Sequence, residues 1–326
     1  MLKPNYDTAI IGAGPAGLFA AYEHTKEMGE DSHVGLFDKG GGLEQRVCPY
    51  EHRNGCHCRN CTVNEGLMGA GLFSDGKLHL HPEIIEVGKI GLVTPQETNE
   101  LLEYTEGLFE QWGLEGPVYP LSNDAAVQLS ESVHSMGLDG DFELQVKKRT
   151  RHIGSDRLPA LVGRMMSQIH AQGNVDINLR SNVLDIEYVD GALEMKVQSG
   201  GHLQTVTAKK VIMGLGRRGS YQAQNIIDKF SIPYTYQPVR IGGRVELPYE
   251  VMKDITDINY NPCFRQFQNG IPTFTFCANP AGFLTVESLL ADESGLNISG
   301  INGESKAAEK TPFTNFAILT ELPVPE

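Results

Sequence analysis

The strongest constraint on this sequence is a glycine pattern that follows a short apolar run. Residues Tyr6 to Ile11 read YDTAII, the next six residues read GAGPAG, and an amphipathic stretch then runs to Gly29. This order predicts a strand, a tight turn and a helix. A second β-rich run, HVGLF, ends in Asp38. The segment therefore predicts the first half of a βαβ unit in an α/β protein.

Each residue of the glycine pattern has a distinct predicted role. Gly12 permits the tight turn, Gly14 lets the backbone approach a pyrophosphate, and Gly17 allows the helix to pack closely on the strand. Pro15 and Ala16 occupy the first helical turn, where a missing proline N–H costs nothing and the remaining N–H groups attract phosphate. The pattern predicts a dinucleotide site, although a βαβ unit without a ligand has the same local features.

Asp38 stands at the end of the second predicted strand, where a carboxylate can accept hydrogen bonds from an adenosine ribose. An acid at this position disfavours a ribose that carries a 2′-phosphate. The fingerprint alone is compatible with NAD as well as with FAD.

Charge and length limit the remaining possibilities. The 326 residues predict two α/β domains. Lys and Arg number 27 against 41 Asp and Glu, a net charge of −14, which makes nucleic acid and an anionic membrane surface unfavourable partners. The longest apolar stretch is shorter than the roughly 20 residues of a membrane span, and the amino terminus has no leader pattern. We expect a cytoplasmic protein that acts on a small molecule.

Four of the six cysteines crowd into fourteen residues: Cys48, Cys56, Cys58 and Cys61. Thiolates at this density favour zinc or an iron–sulfur cluster. The C-x-C-x-x-C spacing is typical of neither a standard zinc finger nor a common ferredoxin. A redox dithiol and plain reduced thiols remain alternatives to a metal site.

The rest of the chain predicts helices after Thr94, Ser122 and the Ser155-Asp156 pair, each from a capping residue before apolar periodicity. A β-meander is expected over 175–213, and its last strand leads into Gly214-Leu215-Gly216. We predict a first domain at 1–220, including an irregular Cys-rich loop at 43–81 over a site, and a β-rich substrate-facing domain at 221–326.

Several longer motifs resemble known flavoproteins. The opening YDTAIIGAGPAGLFAAYEHTKEMG resembles the start of FAD-containing oxidoreductases of the glutathione-reductase-like class. Further segments are similar, in the same order, to a family of FAD-dependent dehydrogenases: GLMGAGLFSDGKLHLH, HIGSDRLPALVGRM, GLGRRGS, PVRIGGRVELP and TFCANPAGFLTVE. The resemblance implies a Rossmann-type FAD-binding domain with an inserted or second β-rich domain. It also implies flavin-mediated hydride or electron transfer, with NAD(P)H as a possible electron donor.

The resemblance further implies which residues contact the cofactor. They are Asp38, Lys39 and Arg46 near the adenosine and pyrophosphate, Gly71, Ser74, Asp75, Gly76 and Lys77 in a loop beside the flavin, and Gly214 and Gly216 at a strand end. Members of the family continue into a glycine-rich carboxyl-terminal motif, whereas this sequence stops at Glu326. Two alternatives follow from the resemblance: the segment is lost, or a second polypeptide supplies the missing flavin contacts.

Two other functions remain open at this point. One is an electron-transfer subunit that works with a Cys-ligated centre, and the other is a truncated flavin-binding module without catalysis. Arg240 and Arg244 alternate on one predicted strand and could hold an anion, although a salt-bridged strand explains them as well. Lys147 to Arg149 form a basic run that is typical of a solvated face. The sequence identifies no catalytic residue.

Overall fold

The computed structural model describes residues 2–29, 31–48, 60–82, 91–136, 142–145, 149–291 and 297–324. Contact density divides the chain into two compact units, each assembled from three segments. Unit 1 comprises 1–73, 162–234 and 286–300, and unit 2 comprises 74–161, 235–285 and 301–326. The predicted boundary at 220/221 separates a cofactor-binding domain from a substrate-facing domain. The two compact units are defined by contacts alone, so that boundary stays a prediction.

The helices and strands alternate along the chain. The helices are α1 (Pro15–Met28), α2 (Pro95–Gln111), α3 (Asn123–Ser135), α4 (Leu158–Ala171), α5 (Ser220–Lys229) and α6 (Tyr249–Thr256). The strands are β1 (Asn5–Ile11), β2 (Val34–Asp38), β3 (Lys77–His79), β4 (Val118–Tyr119), β5 (Glu143–Gln145), β6 (Thr150–His152), β7 (Val175–Leu179), β8 (Ser181–Val189), β9 (Ala192–Ser199), β10 (His202–Met213), β11 (Val239–Pro248), β12 (Cys263–Gln268), β13 (Ile271–Asn279), β14 (Phe283–Ala291), β15 (Asn297–Glu304) and β16 (Phe313–Leu322). None of the helices in the described ranges is long and apolar enough to cross a membrane.

Unit 1 contains a six-stranded sheet in the order β7-β2-β1-β10-β9-β8. The strands β7, β2, β1 and β10 run parallel, and β9 and β8 continue the sheet antiparallel. The predicted strand–turn–helix–strand segment is confirmed as β1, α1 and β2. The α/β class with a parallel-stranded sheet is likewise confirmed. This arrangement places β1 between β2 and β10.

The predicted meander over 175–213 needs one correction. Only β8, β9 and β10 form a meander, since β7 pairs parallel with β2, where Val34 lies opposite Val175. The strand β10 changes partner along its length, pairing with β9 from His202 to Ala208 and with β1 from Thr207 to Met213. One strand therefore joins the meander to the parallel sheet.

Apolar alternation explains why the strands of unit 1 assemble. On one face, Ala9, Ile11 and Phe37 join a buried cluster with residues of the meander and of α5. Tyr6 packs edge-on against Phe37, with ring centroids 5.7 Å apart. Ile10, which points to the opposite face of the same strand, is fully buried. Burial on both faces is typical of a central parallel strand.

Unit 2 contains a five-stranded sheet in the order β11-β16-β13-β12-β5 and a three-stranded sheet in the order β3-β6-β4. The predicted capping box at Thr94 is confirmed, because Thr94 and Glu97 satisfy each other's backbone N–H groups at the start of α2. Ser122 caps α3 as predicted by accepting a hydrogen bond from the N–H of Ala125. These capping residues therefore set where α2 and α3 begin.

The cap predicted for α4 is wrong. The helix begins at Leu158, and the Ser155 hydroxyl donates instead to Glu304 over 2.6 Å. The Asp156 carboxylate accepts hydrogen bonds from the N–H groups of Ala307 and Ala308. Both side chains therefore anchor the 304–308 segment, Ser155 through the carboxylate of Glu304 and Asp156 through two backbone N–H groups.

Candidate functional site

The turn between β1 and α1 forms the base of the candidate site in unit 1. Gly12 has a φ of +102°, a left-handed conformation that disfavours a side chain. Its N–H donates to the carbonyl of Phe37 over 2.7 Å. Gly14 is the N-cap of α1 and Pro15 lies in its first turn. Within the described chain no side chain caps this helix, so its first N–H groups stay available to an anion.

Placing a methyl group on each of the three glycines shows which positions have room for a side chain. On Gly12 the methyl would overlap the carbonyl oxygen of Gly214, and on Gly17 it would overlap the carbonyl oxygen of Gly12. On Gly14 the methyl would meet no atom within 4 Å. The fold itself therefore requires the first and third glycines. The second glycine borders empty space beside the amino end of α1.

That space belongs to a cavity of about 460 Å³. The residues that line it are Gly12, Gly14, Pro15, Ala16, Asp38, Asn64, Gly69, Ala70, Gly71 and Met213 to Arg218. The structure thus brings the glycine turn, the acid after β2 and the residues after β10 to one cavity. Among the cofactor contacts implied by resemblance, Gly71, Gly214 and Gly216 share it.

Asp38 is oriented by two backbone donors. Its Oδ2 accepts a hydrogen bond from the N–H of Ala13 over 2.7 Å, and its Oδ1 accepts one from the N–H of Gly40 over 2.7 Å. Each carboxylate oxygen retains a second lone pair. Asp38 therefore stabilises the glycine turn and can still accept a ribose hydroxyl from the cavity.

The segment 60–73 packs directly on the glycine turn. The N–H of Met68 donates to the carbonyl of Ala13 over 2.7 Å, and the N–H of Leu67 donates to that of Gly41 over 3.0 Å. A methyl group on Gly40 would overlap the backbone of Glu65 and Gly66. The glycine run after Asp38, which the sequence predicts only as a loop, is needed for this close approach of two backbones.

Arg46 ties the same segment together. The residue is 4% exposed, and its guanidinium donates to the carbonyls of Thr62, Val63, Leu67 and Gly69. Burial lowers the pKa of this side chain to about 10. Arg46 therefore supports the wall of the cavity, and its predicted contact with the pyrophosphate stays a prediction.

Lys39 lies at the opposite side of Asp38, on a groove of about 530 Å³. Its Nζ lies 3.1 Å from Glu65 Oε1. Arg180 and Asn182, at the start of β8, line the same groove. The groove adjoins the residue that follows Asp38, and the predicted contact of Lys39 with the cofactor stays a prediction.

The Ser74–Lys77 loop lies in unit 2, and its charged groups are turned to partners within that unit. Lys77 is fully buried, with its Nζ 3.0 Å from Asp75 Oδ2, and it also donates to the carbonyl of Ala278. Burial acts to raise the pKa of Asp75, but the Lys77 ammonium outweighs this effect and lowers it. The placement of this loop beside a flavin stays a prediction.

A buried polar cluster in unit 2 escapes sequence reasoning. The hydroxyl of Tyr260 lies 3.0 Å from His152 Nε2 and also contacts the hydroxyl of Ser305. The rings of His152 and Tyr260 stack with centroids 4.2 Å apart. Burial lowers the pKa of His152 to about 4. The three residues come from distant segments, so no local pattern connects them.

The cysteine cluster can be located only in part. Cys56 and Cys58 lie outside the described residues. Cys48 and Cys61 are described, and neither is in a disulfide. Within the described ranges no group of three or more His, Cys, Asp or Glu side chains is arranged to hold a metal ion. Cys277 is a separate thiol in unit 2, and burial raises its pKa to about 12.

The arginines predicted as possible anion ligands have partners in the structure. Arg240 pairs with Glu321 over 2.8 Å, and Arg244 donates to Asn315 Oδ1 over 2.7 Å. In the basic run, Lys147 and Lys148 lie outside the described residues, and Arg149 pairs with Glu106. The ion pair of Arg240 agrees with the salt-bridged interpretation of its strand, and the half-exposed side chain of Arg149 agrees with a solvated face.

Comparison with known proteins gives distant structural matches. No family model matches the chain, and no curated protein sequence matches it. NikD, an unusual amino acid oxidase essential for nikkomycin biosynthesis, matches in its open form with a TM-score of 0.42 and 11% identity over 99% of this chain and 72% of that chain. Glycine oxidase from Geobacillus kaustophilus matches with a TM-score of 0.40 and 12% identity over 97% and 83%.

L-Amino acid deaminase from Proteus vulgaris, with its specific insertion deleted, matches with a TM-score of 0.41 and 13% identity. The match covers 75% of this chain and 61% of the deaminase, so the chain spans less than two thirds of that protein. Similarity as distant as this transfers neither a cofactor nor a substrate to the chain.

Proposed function

We propose that unit 1 binds FAD and that the chain works as a flavin-dependent oxidoreductase on a small-molecule substrate. The observation that carries the proposal is the contrast among the three glycines. Gly12 and Gly17 are required by backbone packing, whereas Gly14 faces a cavity of about 460 Å³ at an uncapped helix end. A glycine that the fold does not need, beside free N–H groups, fits close approach of a diphosphate.

Different residues around the cavity would bind different parts of the cofactor. The first turn of α1 would bind the diphosphate through its N–H groups, and Asp38 would accept hydrogen bonds from the ribose. An acid in that place favours a ribose without a 2′-phosphate. The choice of FAD over NAD rests on the motif resemblance of the GAGPAG, SDGK and GLGRRGS segments. Bound FAD would supply hydride or electron transfer through its isoalloxazine ring, with NAD(P)H as a candidate electron donor.

Two measurements test this function. The chain purified without added cofactor is analysed by absorbance and by mass spectrometry of any released small molecule, and FAD and ADP are then compared by equilibrium dialysis. We expect binding of both ligands by the unaltered chain and loss of both in Gly14→Val, which fills the space at the diphosphate. A Gly14→Val variant that keeps full occupancy would rule out the site, and a chain that binds neither ligand would rule out the function.

A second function is favoured by one contact at the ends of the cysteine-rich segment. The Thr62 hydroxyl donates to the carbonyl of Val47 over 2.9 Å. This bond brings the chain next to Cys48 and the chain next to Cys61 together. We propose as an alternative that the thiols of Cys48, Cys56, Cys58 and Cys61 hold zinc or an iron–sulfur cluster. Of the two, only the iron–sulfur cluster could exchange electrons with the flavin, because Zn²⁺ has no redox chemistry. Elemental analysis of protein purified without chelator tests it, and four freely titrating thiols without either metal would exclude it.

A further inference from the structure

An ion-pair bridge joins three side chains around the candidate site in unit 1. Glu65 Oε1 lies 3.1 Å from Lys39 Nζ and 2.8 Å from Arg218 Nε. The side chains of Glu65 and Arg218 are 3% and 6% exposed, whereas that of Lys39 is 31% exposed. A single carboxylate oxygen thus contacts two cations in a largely buried setting.

The bridge spans the carboxyl end of β1. Lys39 follows β2 and Arg218 follows β10, and β1 lies between these two strands in the sheet. The glycine turn that follows β1 therefore lies between the two backbone segments that carry the cations, and the side chains of Lys39 and Arg218 meet at Glu65. Arg218 lines the same cavity as Gly14 and Ala16, at the amino end of α1. A diphosphate at that helix end would lie within the same cavity as the Arg218 guanidinium.

The Glu65 carboxylate is incompletely satisfied in this arrangement. Its Oε2 is buried and has no hydrogen-bond partner among the described residues. A buried carboxylate with one unpaired oxygen has a substantial desolvation cost. A diphosphate offers more acceptor oxygens and more negative charge to the same two cations, and guanidinium groups bind phosphate oxygens well.

We propose that Lys39 and Arg218 are a phosphate-binding pair for the diphosphate of the dinucleotide, and that Glu65 competes with the diphosphate for them. The inference rests on the proposed function of unit 1. Binding of the dinucleotide exchanges the ion pairs of Glu65 for ion pairs with phosphate. Glu65 therefore weakens the affinity of the site for phosphate-containing ligands and leaves the affinity for adenosine unchanged.

The central experiment compares ADP with adenosine by isothermal titration calorimetry in the full chain and in Glu65→Gln. Because glutamine removes the competing charge, we expect ADP to bind about ten times more tightly in the variant and adenosine to bind equally in both. Asp7→Asn is the matched control. It removes one carboxylate from an ion pair with Lys209 at the other end of β1, and it should leave both ligands unchanged.

Arg218→Gln tests the cation directly and does not depend on the folding of the Glu65 variant. We expect ADP binding to weaken about tenfold while adenosine binding stays the same. Weaker ADP binding in Glu65→Gln would show that Glu65 only positions the cations and would overturn the inference, as would equal gains for ADP and adenosine. If the unaltered chain binds ADP and Glu65→Gln binds it equally, the inference alone fails. If no variant binds ADP, the proposed function fails as well.

Discussion

The charged side chains beside the glycine turn of unit 1 border open volume, whereas the Lys77–Asp75 pair of unit 2 is closed on itself. In unit 1, Asp38 and Arg218 line a cavity of about 460 Å³ beside the helix end. In unit 2, Lys77 is fully buried and its ammonium is taken by Asp75 and by a backbone carbonyl. His152 and Tyr260 likewise satisfy each other in the interior.

The difference separates a ligand site from a structural network. Polar groups beside empty space can exchange partners with a ligand, whereas polar groups that fill each other's hydrogen-bonding capacity mainly stabilise the fold. Substitutions in unit 2 should therefore change the free energy of unfolding, and selected substitutions in unit 1 should change ligand binding with little change in folding. The four predictions below test this contrast.

Lys77→Met should have the largest effect on stability. The variant leaves Asp75 buried without its cation, and we expect the free energy of unfolding to fall by about 3–5 kcal/mol. Urea unfolding followed by the fluorescence of Trp112, the single tryptophan of the chain and a buried residue of unit 2, measures this loss. Lys39→Met is the control in unit 1. Its partly exposed ion pair should contribute less than about 1 kcal/mol, and equal losses in the two variants would contradict the comparison.

Gly17→Ala should destabilise the glycine turn of unit 1. The added methyl overlaps the carbonyl oxygen of Gly12, which is backbone and cannot rotate away. We expect a loss of about 3 kcal/mol in the free energy of unfolding, measured by circular dichroism in urea. Gly163→Ala, at a position in α4 where the methyl meets no atom within 4 Å, should be neutral or slightly stabilising. If Gly17→Ala were as stable as Gly163→Ala, helix propensity and not close packing would govern the position of Gly17.

The stability of unit 2 should depend on the protonation of His152. Burial first, and then the charges of Lys310 and Lys77, lower the pKa of His152 from 6.5 to about 4. The folded state therefore favours the neutral ring, so stability is full above pH 6.5 and declines as the pH falls toward 4. We expect a loss of about 2 kcal/mol between pH 7 and pH 5. Trp112 fluorescence in urea measures it, and His152→Asn should flatten this part of the profile.

Gly14→Ala should have the smallest effect on folding. Its methyl meets no atom within 4 Å, so we expect the free energy of unfolding to change by less than about 0.5 kcal/mol. The same variant should bind ADP more weakly than the unaltered chain. A large loss of stability would indicate that the space at Gly14 is required by the fold.

Patterns of residues close together in the sequence predicted the local elements of the structure, such as turns and helix starts. The strand–turn–helix segment around Gly12 follows from a glycine spacing, and the start of α2 follows from the Thr94–Glu97 capping box. The same kind of pattern failed at Ser155 and Asp156, because those side chains found partners at 304–308. A local capping signal is thus reliable only when no group from a distant segment competes for the same side chain.

The rest of the candidate site depends on contacts between distant segments. The position of β7 beside β2 and the carbonyl contacts of Arg46 cannot be read from residue spacing. Glu65 has no motif of its own, and it joins the site only because the glycine run at 40–42 lets segment 60–73 pack closely. Sequence reasoning therefore identified the glycine turn and Asp38, and missed Glu65 and the ion pairs that it forms beside them.

The pairing of β1 with β10 sets the order of events during synthesis. Residues of β1 pair with residues 207–213, so the parallel sheet at the glycine turn cannot close until the ribosome has released the chain beyond Met213. The hairpins of β8, β9 and β10 involve near neighbours in sequence and can form as soon as they emerge. Until β10 has emerged, β1 can pair with β2 on one edge but lacks its partner on the other edge. The early chain is thus exposed to misassociation for as long as about two hundred residues take to be made, which is on the order of ten to forty seconds at typical elongation rates.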